Sequence, residues 1–396
     1  MENGGTNPPW EMGPIRPPSE AQSLLIRVTR NCPWNQCEFC HTYKGETFSI
    51  RSVEEVQKDI DQIKEIADEI RELSWRMGQG GRIDQTVLRR FLSQPGAKSA
   101  AHQMVAGWLY FGGGQVFLQD GNSLMRKTDD LVAILRYLKE KFPSIQRITS
   151  YGRARTLAKK SVEELKELRD AGLTRIHIGM ETGYDPLLQY MKKGVTAKEQ
   201  VIAGRNVVAS GISLSEYFMP GLGGERWWRE HAVDSARVLN QIDPDFIRLR
   251  TLYVRPNMPL HRKVEKGEFT RPADDQIVEE IRLFLDTLDG IQSTVVSDHI
   301  LNLLEEVQGK LPGEKEKMVG IIDRYLAWPA EKRLQFKVGR RLGYLRNLED
   351  LDDRNLQLRV DPIIQEVHRS FRQEHGRPAS DGEIEKEIQV LMENYI

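Results

Sequence analysis

The sequence has very few cysteines, no long apolar run and no excess of charge of either sign. Its 396 residues include three cysteines, 57 basic residues and 58 acidic residues. Three thiols are too few for the disulfide framework of a small secreted protein, and they favour a reducing compartment. The balanced charge gives no domain-wide footprint for nucleic acid, so we expect no nucleic-acid partner.

Membrane and secretion signals are absent as well. No run approaches the ~18 apolar residues that a membrane span requires. The first twenty residues are rich in Pro, Gly and Asn and lack the pattern of a signal peptide. The sequence therefore predicts a soluble, cytoplasmic protein that does not bind membranes.

The three cysteines, Cys32, Cys37 and Cys40, lie within nine residues. A cubane iron–sulfur cluster has four irons, and this loop offers thiolates to three of them. The fourth iron would be open to a ligand that is not protein, and an open metal position is typical of catalytic sites. The alternative is a structural zinc ion on these cysteines and His41, although adjacent Cys40 and His41 make that geometry awkward.

Short β-rich runs alternate with helical patterns through the middle of the chain. Three S/T-x-x-E capping boxes begin helices at Ser52, Ser161 and Thr196. The predicted strands are Leu24–Arg30, Gln115–Gln119, Arg147–Tyr151, Arg175–Thr182, Ile212–Met219 and Phe246–Val254. This order predicts an α/β fold with parallel strands and right-handed crossovers. Six units suggest a partial (βα)6 parallel barrel, and the strand spacing leaves a doubly wound sheet open as the alternative.

We expect three segments along the chain. Residues 1–20 are predicted to be a disordered arm, and residues 21–265 the barrel with a helical insertion at about 74–111. Residues 266–396 are predicted to form an α-helical C-terminal domain. Its expected helices cover 273–288 and 298–308, and a last one follows the capping box at Ser380.

The cysteine loop resembles the cluster motif of the radical S-adenosylmethionine (SAM) superfamily. The similarity lies in the three thiolates, in Phe39 directly before the last of them, and in their position after a first barrel strand. The usual family spacing is C-x3-C-x2-C, whereas the first gap here has four residues. The loop therefore resembles a variant member, with the single-cluster core of the porphyrinogen-oxidase-like and Elp3-like enzymes.

This resemblance implies the cofactors and the chemistry. Cys32, Cys37 and Cys40 would ligate a 4Fe-4S cluster whose fourth iron is chelated by SAM. Reductive cleavage of SAM would give methionine and a 5′-deoxyadenosyl radical that abstracts hydrogen from a small-molecule substrate. The electron would come from a low-potential donor such as flavodoxin or ferredoxin.

The resemblance also assigns SAM contacts at the ends of later strands. Phe39 belongs to this set. The segment Gln119, Asp120 and Gly121 is similar to the one whose backbone holds the methionine amino group, an ordinary turn being the alternative. Glu181 and Thr182 would face the ribose or the carboxylate of SAM, and Lys193 would pair with that carboxylate. Taken singly, a lysine and a strand-end glutamate are ordinary features, so the argument rests on their joint position.

Strand alternation adds a hypothesis about the substrate. The side chains that it turns into the barrel include Arg27, His177, Arg248 and Arg250. Such a lumen would bind an anionic substrate through charge-assisted hydrogen bonds. The alternative is that the arginines pair with internal carboxylates such as Glu216 or Glu181.

The sequence thus predicts a radical SAM enzyme whose substrate is not identified. A second hypothesis is a non-catalytic iron–sulfur protein, either an electron carrier or a scaffold, which needs no SAM site. A third is a binding module stabilised by zinc.

Overall fold

The protein is described here by a computed structural model that covers residues 10–94, 97 and 99–392. Its strands are β1 (Leu24–Arg27), β2 (Thr29–Arg30), β3 (Ser49–Ile50), β4 (Gln115–Gln119), β5 (Arg147–Gly152), β6 (Arg175–Glu181), β7 (Ser213–Phe218), β8 (Phe246–Leu249), β9 (Thr294–Val296) and β10 (Gly309–Lys310).

The helices begin after the first strand pair. They are α1 (Val53–Arg76), α2 (Gln85–Leu92), α3 (Ala100–Tyr110), α4 (Thr128–Lys141), α5 (Ala154–Leu157), α6 (Val162–Asp170), α7 (Asp185–Tyr190), α8 (Ala197–Ser210), α9 (Gly224–Ile242), α10 (Pro259–Glu265), α11 (Asp274–Thr287), α12 (Lys315–Leu326), α13 (Ala330–Arg341), α14 (Arg354–His375) and α15 (Asp381–Met392). Within the residues that the structure covers, none of these helices has the length and apolar character needed to cross a membrane.

Eight strands form one mostly parallel sheet in the order β1-β4-β5-β6-β7-β8-β9-β10. β1, β4, β5 and β6 pair in parallel, and Arg27 at the end of β1 lies opposite Gln119 at the end of β4. The first six strands of this sheet are β1 and β4 to β8, and neighbouring strands among them follow one another along the chain, as in a barrel. A doubly wound sheet would reverse its strand order at a switch point, so that alternative is excluded. The predicted α/β fold with a partial barrel is confirmed.

The chain divides into two compact units. The first runs to Gly179 and includes Lys192–Ser215. Its longest helix, α1, begins at the capping box of Ser52 and Glu55, as the sequence predicts, and buries one apolar stripe that includes Ile60, Ile63 and Ile70. The predicted helical insertion corresponds to the end of α1 with α2 and α3.

The second unit consists of Met180–Met191 and the chain from Glu216 onward. Phe218 of β7 stacks on Phe284 of α11 with ring centres 4.1 Å apart. A separate small core unites α13, α14 and α15 through Leu334, Val360 and Ile384. The predicted domain boundaries at residues 20 and 265 stay predictions.

Residues 10–20 do not form the disordered arm that the sequence predicts, and residues 1–9 lie outside the described part of the chain. Trp10 is 3% exposed, and Pro18–Glu20 form a short 3-10 helix. Glu11 pairs with Arg27 at 2.7 Å and with Arg30 at 2.8 Å. A buried indole and these ion pairs hold a segment whose composition alone indicates a flexible chain.

The region after β8 differs most from the prediction. It contributes β9 and β10 to the sheet, so it is not purely helical. The predicted helix at 298–308 is absent. Asn302 explains this irregular backbone, because its side chain donates to the carbonyl of Leu249 and accepts from the N–H of Thr251. These bonds also end β8 at Leu249, five residues before the predicted strand end.

Candidate functional site

The cysteine loop follows β2 in the first unit. Its three thiols are free and half-buried, while Phe39 and Glu38 beside them are buried. Asn31 and Asn35 have left-handed backbone angles, with φ of 67° and 47°. Asparagine tolerates that conformation better than most residues, and the side chain of Asn35 donates to the carbonyl of Tyr43 across the loop. Asn35 lies in the longer first gap, so the backbone turns tightly there.

Gly121, in the turn after β4, lies directly against the first cysteine. A Cβ atom at Gly121 would be 3.3 Å from Cβ and 3.5 Å from Sγ of Cys32. Most Cβ contacts are longer than that, so a larger residue would displace the cysteine. The structure therefore brings the turn after β4 and the cysteine loop together, and the contact of Gly121 with SAM stays a prediction.

Gln119 and Asp120 use their side chains within the protein. Gln119 accepts from the N–H of Gly13 at 2.8 Å and donates to its carbonyl at 2.9 Å. The buried Asp120 carboxylate accepts from Arg27 Nε at 2.5 Å and from the Tyr43 hydroxyl at 2.9 Å. Both side chains are committed to fixing the fold, so only their backbone remains available for the predicted SAM contact.

Two cations lie close to the cysteine loop. The Lys193 ammonium is 5.4 Å from the centre of the Phe39 ring, and the half-buried Arg153 guanidinium is 5.2 Å from the Trp34 ring. Burial raises the pKa of the Cys37 thiol, and the positive charges of Lys193 and Arg153 oppose that rise. The site thus supplies positive charge where thiolates would form.

Arg153 is absent from the residues that the sequence predicts for this site. It directly follows β5, and parallel strands with right-handed crossovers build sites at their carboxyl ends. The position alone could have identified it. The resemblance supplied no motif at this strand end, and for that reason the residue was missed.

A structural zinc ion is not supported by the geometry. Among the described residues, no three His, Cys, Asp or Glu side chains are gathered closely enough to hold one metal ion. Zinc ligands all lie about 2.0–2.3 Å from one ion and are therefore close to each other. Each cluster cysteine instead ligates a different iron, which places the thiolates farther apart. Three free thiols match the number of protein ligands that such a cluster needs when its fourth iron binds another ligand.

In the second unit, the turn after β6 is held rigidly. Glu181 has a left-handed φ of 65°, and the carbonyl of Glu181 accepts from the N–H of Met219 at 3.0 Å. The N–H of Gly183 donates to Ser235 Oγ at 2.8 Å. A Cβ atom at Gly183 would lie 2.5 Å from the carbonyl oxygen of Asp234, so only glycine fits this turn.

Thr182 contacts a buried histidine. His231 Nε2 lies 3.0 Å from the carbonyl oxygen of Met219, and Nδ1 lies 2.8 Å from Thr182 Oγ1. A carbonyl can only accept, so Nε2 carries the proton and the hydroxyl of Thr182 donates to Nδ1. Thr182 is 1% exposed, and this hydroxyl is therefore committed to His231. The predicted role of Thr182 in facing SAM can rest only on its backbone.

A buried glutamate completes this cluster. Glu280 Oε1 accepts from the N–H of Gly221 at 2.9 Å and lies 3.4 Å from His231 Nε2. Oε2 has no hydrogen-bond partner among the described residues. Burial raises the pKa of Glu280 to about 8 and lowers the pKa of His231 to about 4. The pair is therefore a neutral carboxylic acid beside a neutral imidazole at pH 7.

The side chains predicted to bind an anionic substrate are largely occupied. Arg27 pairs with Asp120 and Glu11, and Arg248 pairs with Asp298 at 2.8 Å. His177 is fully buried, 3.8 Å from a Glu20 oxygen. Arg250 lies beyond the end of β8 and is exposed. Internal pairing with Asp120 and Glu11 accounts for Arg27, and pairing with Asp298 accounts for Arg248.

Comparison with known proteins identifies a related family. Residues 103–236 match the model of the radical SAM superfamily. Over this segment, about a third of the chain, the protein is similar to the radical SAM superfamily. Enzymes of that superfamily use a 4Fe-4S cluster and SAM, which are the cofactors that the cysteine loop predicts.

Curated relatives match only part of this chain. The tRNA uridine(34) acetyltransferase of Methanocaldococcus jannaschii is 23% identical over 120 residues, which are 30% of this chain and 22% of the relative. The heme chaperone HemW of Bacillus subtilis is 24% identical over 201 residues, covering 45% of this chain and 52% of HemW. The chain thus spans at most about half the length of these two relatives.

Among solved structures, the cobalamin-dependent S-adenosylmethionine radical enzyme OxsB aligns over 95% of this chain and 59% of its own length. The identity is 14% and the TM-score is 0.44. A likeness at this level carries no argument about function.

Proposed function

We propose that this chain is a radical SAM enzyme that holds a 4Fe-4S cluster on Cys32, Cys37 and Cys40. The cluster and SAM would together supply a 5′-deoxyadenosyl radical, which abstracts hydrogen from a substrate. The observation that carries this proposal is the loop of three free, half-buried thiols with the Gly121 backbone packed against Cys32. The three thiols leave one iron of a cluster without a protein ligand.

The residues around the loop have distinct roles in this proposal. The three thiolates ligate the irons, and the lack of a side chain at Gly121 lets the turn after β4 pack closely against Cys32. Lys193 would pair with the carboxylate of SAM, since its ammonium already lies over the ring of Phe39. Glu181 would face the ribose or the carboxylate of SAM. A low-potential donor such as ferredoxin or flavodoxin would deliver the electron.

The substrate is not assigned. One curated relative is named for acting on tRNA and another as a heme chaperone, so the expectation of no nucleic-acid partner has no support. Arg27 and Arg248 pair within the protein, and substrate binding by Arg250 and His177 stays a prediction. The proposal is therefore restricted to the SAM half-reaction.

Anaerobic reconstitution tests this proposal. The full chain is treated with iron and sulfide, reduced with dithionite and mixed with SAM, and 5′-deoxyadenosine and methionine are measured by mass spectrometry. We expect about four irons per chain and equimolar formation of the two products. Cys37→Ser should lose iron and product together, since an alcohol is a poor iron ligand.

Lys193→Gln tests the SAM contact separately. We expect normal iron content with weaker SAM binding, because a charge-assisted hydrogen bond contributes about 1.5–3 kcal/mol. Lys198→Gln, which changes an exposed lysine on α8, is the matched control. An iron–sulfur protein that never cleaves SAM would support the electron carrier, and a colourless protein containing zinc would support the binding module. Either result would overturn the proposed function.

A further inference from the structure

The unusual first gap of the cysteine motif contains a docked indole. Trp34 lies in the four-residue stretch between Cys32 and Cys37. Its Nε1–H donates to the carbonyl of Lys192 at 2.7 Å, across 158 residues of sequence. The longer gap therefore contains the residue that contacts the turn before α8.

The turn that contacts Trp34 has a glycine where the indole packs. A Cβ atom at Gly194 would lie 2.4 Å from Cε2 and Cζ2 of the indole, so the ring packs directly on the glycine backbone. Gly194 has a φ of 70° and Lys192 a φ of 51°, both left-handed. Lys192 also pairs with the buried Glu38 of the cysteine loop at 2.6 Å. Two separate contacts thus join the loop to this turn.

Arg153 joins the same two segments. Its guanidinium lies 5.2 Å from the centre of the Trp34 ring, within the range of a cation–π interaction, and its Nη2 donates to the carbonyl of Lys193 at 2.8 Å. The backbone N–H of Arg153 donates to the side chain of the buried Asn122. The guanidinium is therefore held between the indole and the turn, on a backbone that is itself fixed.

This position gives Arg153 an electrostatic role. Its guanidinium lies over the ring of Trp34, which Cys32 and Cys37 flank in the sequence, so it is a positive charge beside the loop that would hold the cluster. A fixed positive charge beside a cluster favours the reduced form, which carries one more negative charge. Lys193, in the turn that Trp34 contacts, adds a second positive charge near Cys37.

We propose that Trp34 is a positioning residue that docks the cysteine loop on the Lys192–Gly194 turn and holds Arg153 as a fixed cation beside the cluster. The docking contacts involve protein groups alone and need no cluster, whereas the role of Arg153 rests on the proposed function. The longer cysteine gap then has a physical reason, since it supplies the residue that connects the loop to the turn before α8.

A double-mutant cycle tests the docking without any cluster. The rate at which iodoacetamide alkylates the three cysteines of the apoprotein is measured for wild type, Trp34→Ala, Gly194→Ala and the double variant. We expect Trp34→Ala to speed alkylation roughly tenfold, as the loss of about 1.4 kcal/mol of loop docking implies. Gly194→Ala should also speed it, through the clash with the indole and through backbone strain.

The coupling between the two substitutions decides the outcome. The clash disappears when Trp34 is absent, so the effect of Gly194→Ala should shrink at least about threefold in the Trp34→Ala background. Backbone strain at Gly194 is the same in both backgrounds and cancels. Independent effects of the two substitutions would overturn the docking.

The reconstituted protein tests the cation. Arg153→Gln should keep its iron and shift the midpoint potential of the cluster to more negative values, because one positive charge is lost. Arg136→Gln, which removes an exposed arginine from α4, should leave the potential unchanged. An unchanged potential in Arg153→Gln overturns the role of the cation. A wild-type protein that takes up no iron overturns both the role of Arg153 and the proposed function. The docking is tested by the alkylation cycle alone.

Discussion

Asp120 accepts a hydrogen bond from the backbone N–H of Asn31 at 3.1 Å, although 89 residues separate the two. The same carboxylate accepts from the hydroxyl of Tyr43, and it pairs with Arg27. Asn31 precedes the cysteine loop and Tyr43 follows it. Asp120, fully buried at the end of β4, therefore fastens both ends of the loop to the sheet.

Replacing this carboxylate should loosen the loop. We expect Asp120→Asn to lower the free energy of unfolding of the apoprotein by about 1.5–3 kcal/mol, the range for hydrogen bonds that involve a charged group. Tyr43→Phe removes one donor and should cost about 0.5–1.5 kcal/mol. Urea denaturation measures both. Equal stabilities for wild type and Asp120→Asn would contradict the role given to this residue.

The segment before β1 makes a second testable contribution. Trp10 is 3% exposed, so Trp10→Ala should lower the free energy of unfolding by about 3–5 kcal/mol, as other large-to-small core substitutions do. Trp75 is 66% exposed, so Trp75→Ala should change the free energy of unfolding by no more than about 0.5 kcal/mol. Similar effects of the two substitutions would mean that residues 10–20 contribute nothing to the fold.

Sequence reasoning succeeded where the signal is local. β4 spans the predicted residues, and the capping boxes at Ser52, Ser161 and Thr196 all form. A capping box depends on residues three positions apart, and a buried strand on a short apolar run. Both patterns are complete within a few residues of sequence.

Long-range partners could not be predicted in this way. Strand alternation gives the direction of the Arg27 side chain but not its partner, because Asp120 is 93 residues away in the sequence. The predicted helix at 298–308 failed because Asn302 bonds to the backbone at the end of β8. No pattern within that segment contains this information.

Gly183 gives a prediction about the turn that carries Glu181. A Cβ atom there would lie 2.5 Å from a backbone oxygen, which cannot move without shifting α9. Gly183→Ala should therefore lower the free energy of unfolding by about 1–3 kcal/mol, the cost of overpacking. Gly382→Ala is the contrasting control. Among the described residues, a Cβ atom at Gly382 in α15 has no neighbour within 4 Å. The free energy of unfolding should therefore increase by about 1 kcal/mol through helix propensity, as thermal or urea unfolding would show.

The buried pair of Glu280 and His231 predicts how stability depends on pH. The pKa of Glu280 rises from its ordinary value of 4.5 to about 8, so the folded state keeps a proton there that the unfolded chain releases. The pKa of His231 falls from 6.5 to about 4, so the folded state lacks a proton there that the unfolded chain binds. Stability from Glu280 is thus lost as pH rises from 4.5 to 8, and stability from His231 is lost as pH falls from 6.5 to 4.

The two effects combine into a plateau. Between pH 4.5 and 6.5 the folded and unfolded states each hold one proton on this pair, so its contribution is constant. Above pH 6.5 only the folded state holds a proton, and the contribution falls until about pH 8. Other titrating groups add to the measured curve, and a variant at Glu280 separates the contribution of this carboxyl from theirs.

Glu280→Gln keeps the shape of the side chain and removes its titration. The stability of this variant relative to wild type should therefore rise steadily from pH 4.5 to about 8 and then become constant, because ionisation of Glu280 stabilises only the unfolded wild-type chain in this range. Urea unfolding at several pH values across this range measures the difference. Glu279→Gln, one residue earlier on the exposed face of α11, should run parallel to wild type. A parallel curve for Glu280→Gln as well would show that Glu280 ionises normally, and that the cluster with His231 and Thr182 carries a charge.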